Sequence, residues 1–141
     1  MKSTHLSIPM LVLLAAIPAC HKAANSSAHV QGTPRTDDVL QAWRNAGLAV
    51  DAFTTVQPPP YSATYCEHGF VRRVLTMVCE YSSDESLKHG TQQVKEEWAR
   101  SNAHTGVILQ AKRTTMMAVD REHREPSGKT ISEMAKAFRK L

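Results

Sequence analysis

The chain has 141 residues, 17 Lys and Arg against 13 Asp and Glu, a formal net charge of +4 and 42% hydrophobic residues. That is one domain's worth of chain, long enough to bury a modest core. Its Lys and Arg alternate with Glu and Asp, which excludes the dense basic runs with interleaved aromatics that nucleic-acid binding uses and leaves a weak attraction to anionic headgroups or envelope polymers.

The N-terminal segment opens with Lys2, continues through an apolar stretch at residues 6–17 and places small Ala19 directly before Cys20. As a helix that stretch covers about 18 Å at 1.5 Å per residue, well short of the roughly 30 Å hydrocarbon core, so it is too short for a stable span. Pro9 and Pro18 bracket its strongest part, and polar His21, Lys22, Asn25, Ser26 and Ser27 follow at once. The segment reads as an export signal with its cleavage boundary and is excluded from the fold.

Lys2, the apolar run and Ala19 before Cys20 resemble the signal and lipobox of bacterial lipoproteins. The resemblance implies that residues 1–19 are removed, that the Cys20 thiol takes a diacylglycerol, and that the new amino group is acylated too. One acyl chain of the palmitate class holds marginally, at ~0.8 kcal/mol per buried CH₂, whereas two or three hold durably. The implied location is the cell envelope outside the cytoplasm. His21 rather than Asp after the cysteine favours the outer membrane in a host that has one. Ordinary signal-peptidase cleavage, which would free a soluble secreted domain, is the alternative, although Ile17 is bulkier than that cut prefers. Loss of Lys2 lowers the net charge to about +3.

Residues 20–32 offer little that packs and are expected to form a lipidated cysteine with a flexible tether. Thr33 and Pro34 then open a predicted helix whose stripe is Val39, Leu40, Trp43 and Ala46 and which stops at Gly47. Residues 48–56 read as a strand that Pro58, Pro59 and Pro60 end. Residues 63–71 and 74–81 read as a hairpin. Its second arm carries Leu75, Met77, Cys79 and Tyr81 on one face and Val74 and Val78 on the other, as a central strand would.

Export delivers the chain to an oxidising compartment, so lipid on Cys20 leaves Cys66 and Cys79 to pair. Both lie equally far from a two-residue turn at Arg72-Arg73, which faces them across the arms in a non-hydrogen-bonded position. There the Cα atoms sit about 4.5 to 5.5 Å apart, within disulfide range. A turn at His68-Gly69 would instead separate them by tens of ångströms. Redox or metal thiolate roles lack the close C-x-x-C spacing that would favour them.

Ser82 with Glu85 matches a capping box, and Leu87, Val94 and Trp98 recur at helical spacing to about residue 100. Residues 105–111 and 115–120 read as two strands joined near Lys112-Arg113. Thr130 with Glu133 opens a last helix, striped by Ile131, Met134, Ala135, Phe138 and Leu141. The order α-β-β-β-α-β-β-α predicts a single α+β domain over residues 33–141, a small, mostly antiparallel sheet with about three helices on one face. This body resembles small uncharacterised envelope lipoproteins, a resemblance that implies no activity.

Four motifs invite functional readings. Gly128-Lys129-Thr130 sits where a P-loop would end, but His123 occupies a position that needs glycine for backbone N–H groups to turn around phosphates. His68, His89, His104 and His123, with Glu122 and Glu125, lack the H-x-x-x-H or H-E-x-x-H spacing that brings ligands together, so no metal or other cofactor is expected. No G-x-S-x-G elbow or other nucleophile signature marks a hydrolase, and Asp120, Glu122 and Glu125 alternate with Arg121 and Arg124 in a solvated loop. Trp43 and Trp98 lie on apolar helical stripes, where core packing outweighs a ligand groove. The expectation is a membrane-tethered, non-catalytic binding or assembly module with an envelope protein partner. An envelope enzyme with a site assembled from distant residues, using His104 or His123, is the alternative.

Overall fold

The computed structural model describes residues 28–101 and 106–141. The signal of residues 1–19, Cys20, the first part of the tether and His104 lie outside the described residues. The elements are α1 (Thr36–Asn45), β1 (Thr54–Thr55), β2 (Tyr65–Val71), β3 (Val74–Glu80), α2 (Asp84–Arg100), β4 (Gly106–Ala111), β5 (Thr114–Val119) and α3 (Lys129–Phe138). They form an α+β domain around one five-stranded sheet, ordered β1-β2-β3-β5-β4, in which every pairing is antiparallel.

The hairpin follows its predicted register. Val71 faces Val74 and Cys66 faces Cys79, and the two cysteines form a disulfide with their Cα atoms 4.2 Å apart. The Cys66 carbonyl accepts a hydrogen bond from Val56 N at 2.9 Å and so points away from β3, as a non-hydrogen-bonded pair requires. The turn lacks the usual Asn-Gly chemistry. Arg72 instead adopts φ 55° and is held there by its surroundings. Its N–H donates to Ala49 O at 2.7 Å, and its guanidinium reaches Thr130 Oγ1 at 3.3 Å and Glu133 at 3.2 Å.

The expectation that the helices share one face is corrected. Side chains alternate across β3 and β5, and both faces are apolar. Val74, Val78, Met116 and Ala118 pack against Val39, Leu40 and Trp43 of α1 and Met134, Ala135 and Phe138 of α3. Cys79 and Met117 pack on the other face against Leu87, Val94 and Trp98 of α2. Trp43 is fully buried and donates from Nε1 to Met134 O at 3.1 Å, joining α1 to α3.

Four local expectations also shift. The strand at residues 48–56 reduces to an isolated bridge, Val50 to Val71, followed by Thr54 to His68. Between these pairings Asp51, Ala52 and Phe53 oppose only Gly69 and Phe70, a bulge that turns Phe53 toward Trp43, with ring centroids 6.3 Å apart. The α2 cap is Ser83, whose hydroxyl accepts from Ser86 N at 3.1 Å, not Ser82 with Glu85. At α3 the Glu125 carboxylate accepts the Thr130 N–H at 2.9 Å, while Glu133 turns to Arg72, so the Thr130 and Glu133 box does not form.

The fourth shift concerns the start of the domain. Residues 28–32, expected in the tether, run along the domain and are bonded to it. Val30 N donates to Glu80 Oε2 at 2.8 Å, His29 Nδ1 lies 2.8 Å from Glu80 Oε1, and Arg113 donates to Gln31 O at 2.8 Å. Glu80 also accepts from Thr36 N at 2.7 Å, so α1 begins at Thr36, beyond the expected Thr33-Pro34, and a buried carboxylate caps it.

The disulfide joins residues 13 apart in sequence, and a loop of that size contributes about 3 kcal/mol on a chain-entropy account. Replacing both cysteines, Cys66→Ala with Cys79→Ala, is expected to lower the unfolding free energy by about that amount in urea titration. An unchanged midpoint would contradict it.

Candidate functional site

The hairpin register arranges the α2 face of the sheet in rows. Cys66 pairs with Cys79 and Thr115, His68 with Met77, Met117 and Ile108, and Phe70 with Leu75, Val119 and Gly106. α2 crosses these rows obliquely. Gly90 lies against Tyr81 and the Tyr61 carbonyl, and two turns later the Trp98 ring fills the space over Gly106 that any larger side chain would occupy. The helix therefore covers the disulfide and drifts toward β4, leaving Leu75 and Met77 half-exposed and Phe70 47% exposed.

The uncovered strip is a half-open groove of about 100 Å³. Leu75, Met77, Met117 and Val119 form its floor, Trp98 and Glu97 one wall, and His68 and Arg121 stand at its rim. Tyr61 closes one end and donates its phenol to Glu97 Oε2 at 2.8 Å. That volume is well below the roughly 300 Å³ lower end of small-molecule sites and suits one apolar side chain better than an acyl chain or a cofactor. Thr76 also lines the groove, but its hydroxyl donates to Val74 O at 3.1 Å. The arrangement can hold an apolar group in water's place beside a guanidinium.

Burial pushes the Tyr61 phenol up to about 12, with the Glu97 bond adding to the rise and Arg121 opposing it. Burial and the Glu67 bond raise Tyr65 to about 12, and burial raises Tyr81.

Catalytic geometry is not assembled among the described residues. Ser62 Oγ lies 2.9 Å from His89 Nδ1, a contact between residues distant in sequence. The same oxygen donates to Gln93 Oε1 at 3.3 Å, no described carboxylate orients the imidazole, and the adjacent Ala63 and Thr64 N–H groups are spent on Pro60 O and Glu80 O. With neither an orienting acid nor an oxyanion donor, the pair ties the 58–64 loop to α2. His29 lies within reach of Glu80, but both are inside the domain, away from the groove.

The sequence candidates scatter. His68 stands at the groove rim, His89 on the loop tie, and His123 in the exposed 121–124 turn, where Glu122 pairs with Arg124. Asp120, expected in a solvated loop, is instead buried and accepts the Arg124 and Glu125 N–H groups at 3.0 and 2.8 Å, which folds that turn back on itself. No three His, Cys, Asp or Glu side chains among the described residues come together as a ligand set. The α3 terminus that invited a phosphate reading is occupied by Glu125. Trp98 serves both readings, packing on the core and walling the groove. Phe70, Glu97, Arg121 and Glu80 were missed. For Phe70 a signal existed, because the register that faces Cys66 with Cys79 also faces Phe70 with Leu75. No family model, curated protein or solved structure matches this chain.

The raised phenols give a signed pH dependence. The fold favours the neutral form, so the stability from Tyr61 and Tyr65 is fully present below the usual 10 and is lost as pH rises through about 12. Ultraviolet titration is expected to show phenolate only well above pH 10, together with loss of circular dichroism. Tyrosines ionising at pH 10 in the folded protein would contradict it.

Proposed function

We propose that this protein is a lipid-anchored lipoprotein of the cell envelope whose domain is a non-catalytic binding or assembly module. The groove beside Trp98 takes an apolar side chain of an envelope protein partner. The observation that carries the binding part is the shallow apolar floor, continued outward by exposed Phe70, next to a guanidinium that has no described carboxylate partner. The anchor rests on the lipobox resemblance at Cys20. In a host with an outer membrane, His21 directs the protein there. Among the described residues no helix is long and apolar enough to cross a membrane, so in this reading attachment comes from the acyl chains.

One experiment addresses both parts. A photo-crosslinking residue replaces Phe70 in cells fed labelled palmitate. The expected result is a labelled, membrane-bound protein with one discrete adduct. Cys20→Ala should abolish label and membrane retention, and Leu75→Arg should remove the adduct while keeping the label. Label surviving Cys20→Ala would refute the anchor, and an adduct indifferent to Leu75→Arg would refute the groove.

A further inference from the structure

The two edges of the sheet are built differently. β1 has two residues, with Pro58, Pro59 and Pro60 close behind, so it offers few free backbone groups. β4 has six residues in unbroken register with β5, from Gly106 opposite Val119 to Ala111 opposite Thr114. It contains no proline, no bulge and no charged residue. Natural sheets ordinarily protect such an edge with one of these devices.

The two-residue turn at Lys112-Arg113 makes Ala111, Leu109 and Val107 the hydrogen-bonded partners of β5. The N–H and C=O groups of Gly106, Ile108 and Gln110 therefore point away from the sheet, and no described residue meets them. Val107, Ile108 and Leu109 are only half-buried along this line. We infer that β4 is a self-pairing edge, joined antiparallel to β4 of a second copy about a two-fold axis through Ile108.

That register places Ile108 opposite Ile108 of the second copy and Gly106 opposite its Gln110, so all the outward donors and acceptors are met. Val107 then stands opposite Leu109 on the α3 side, an apolar pair repeated by the axis. Charge favours a second copy over a foreign strand. An uncharged strand offers nothing for an oppositely charged partner to recognise, and the antiparallel axis keeps like charges apart. Lys112 of the two copies would lie about 27 Å apart at 3.4 Å per residue, beyond a screening length of about 8 Å. The inference stands on the edge alone and does not depend on the groove.

A hydrogen-bonded pair has its Cα atoms about 5.5 Å apart, within disulfide range. In the full chain in intact cells, Ile108→Cys is expected to give a covalent dimer on a non-reducing gel. Gln110→Cys, whose two copies would sit four residues out of register, should stay monomeric. Gln110→Pro removes one outward donor at a position where an edge tolerates proline, and should halve the mass seen by light scattering while keeping the thermal midpoint. A monomeric Ile108→Cys protein, equal crosslinking at both positions, an adduct to a different protein, or a mass unchanged by Gln110→Pro would each overturn the inference.

Discussion

Glu80 is completely buried at the end of the central strand β3, and three donors with the His29 ring converge on its carboxylate. A carboxylate taken out of water without such partners costs several kcal/mol. Here the Thr36 N–H and hydroxyl, the Val30 N–H and the imidazole replace the lost hydration. Thr36 opens α1, so the helix is set on the sheet by its own N-terminal dipole and by a charged strand residue together. Once that end is fixed, Val39, Leu40 and Trp43 fall over Val74 and Val78, and the Trp43 indole reaches α3. The same carboxylate holds residues 29 and 30, so it also decides where the domain leaves the chain that precedes it.

The sheet has two apolar faces and three helices, and this arithmetic produces the groove. α1 and α3 together cover one face. α2 alone crosses the other obliquely, because Gly90 admits the Tyr61 carbonyl at one end and Gly106 admits the Trp98 ring at the other. A single helix covers the disulfide row and part of the next, leaving the row of Phe70, Leu75 and Val119 incompletely roofed. The disulfide sits under the helix as a rigid floor, and the open strip lies beside it. The groove proposed to bind a partner thus lies where packing is incomplete, and it requires no residue to be spared from the core.

What could be read from the sequence was what local rules decide. The Cys66 and Cys79 register follows from symmetry about Arg72-Arg73, although the residues that hold Arg72 at positive φ come from residues 49, 130 and 133. The stripes of α1 and α3 and the two-faced pattern of β3 follow from periodicity. The α2 cap lies one residue from its expected place, at Ser83, whereas the carboxylates at α1 and α3 come from outside the helix: Glu80 lies 44 residues beyond Thr36 in sequence, and Glu125 reaches its helix from the preceding loop. Glu80 itself looked like an ordinary strand residue, since nothing near it in sequence announces its partners. The side of the sheet chosen by each helix is likewise a tertiary decision. Of the groove, Leu75 and Met77 were legible as one face, but Glu97 and Arg121 join them only through the crossing of α2 and the turn after β5.

The claim on which the architecture rests is that Glu80 fastens both α1 and the chain entering the domain. Amide hydrogen exchange reads this residue by residue. In the native protein the Val30 and Thr36 amides are expected to exchange far more slowly than unstructured chain. Glu80→Ala should release both while Val78, inside the sheet, remains protected. Rapid exchange of Val30 and Thr36 in the native protein, or rates indifferent to Glu80→Ala, would contradict the account.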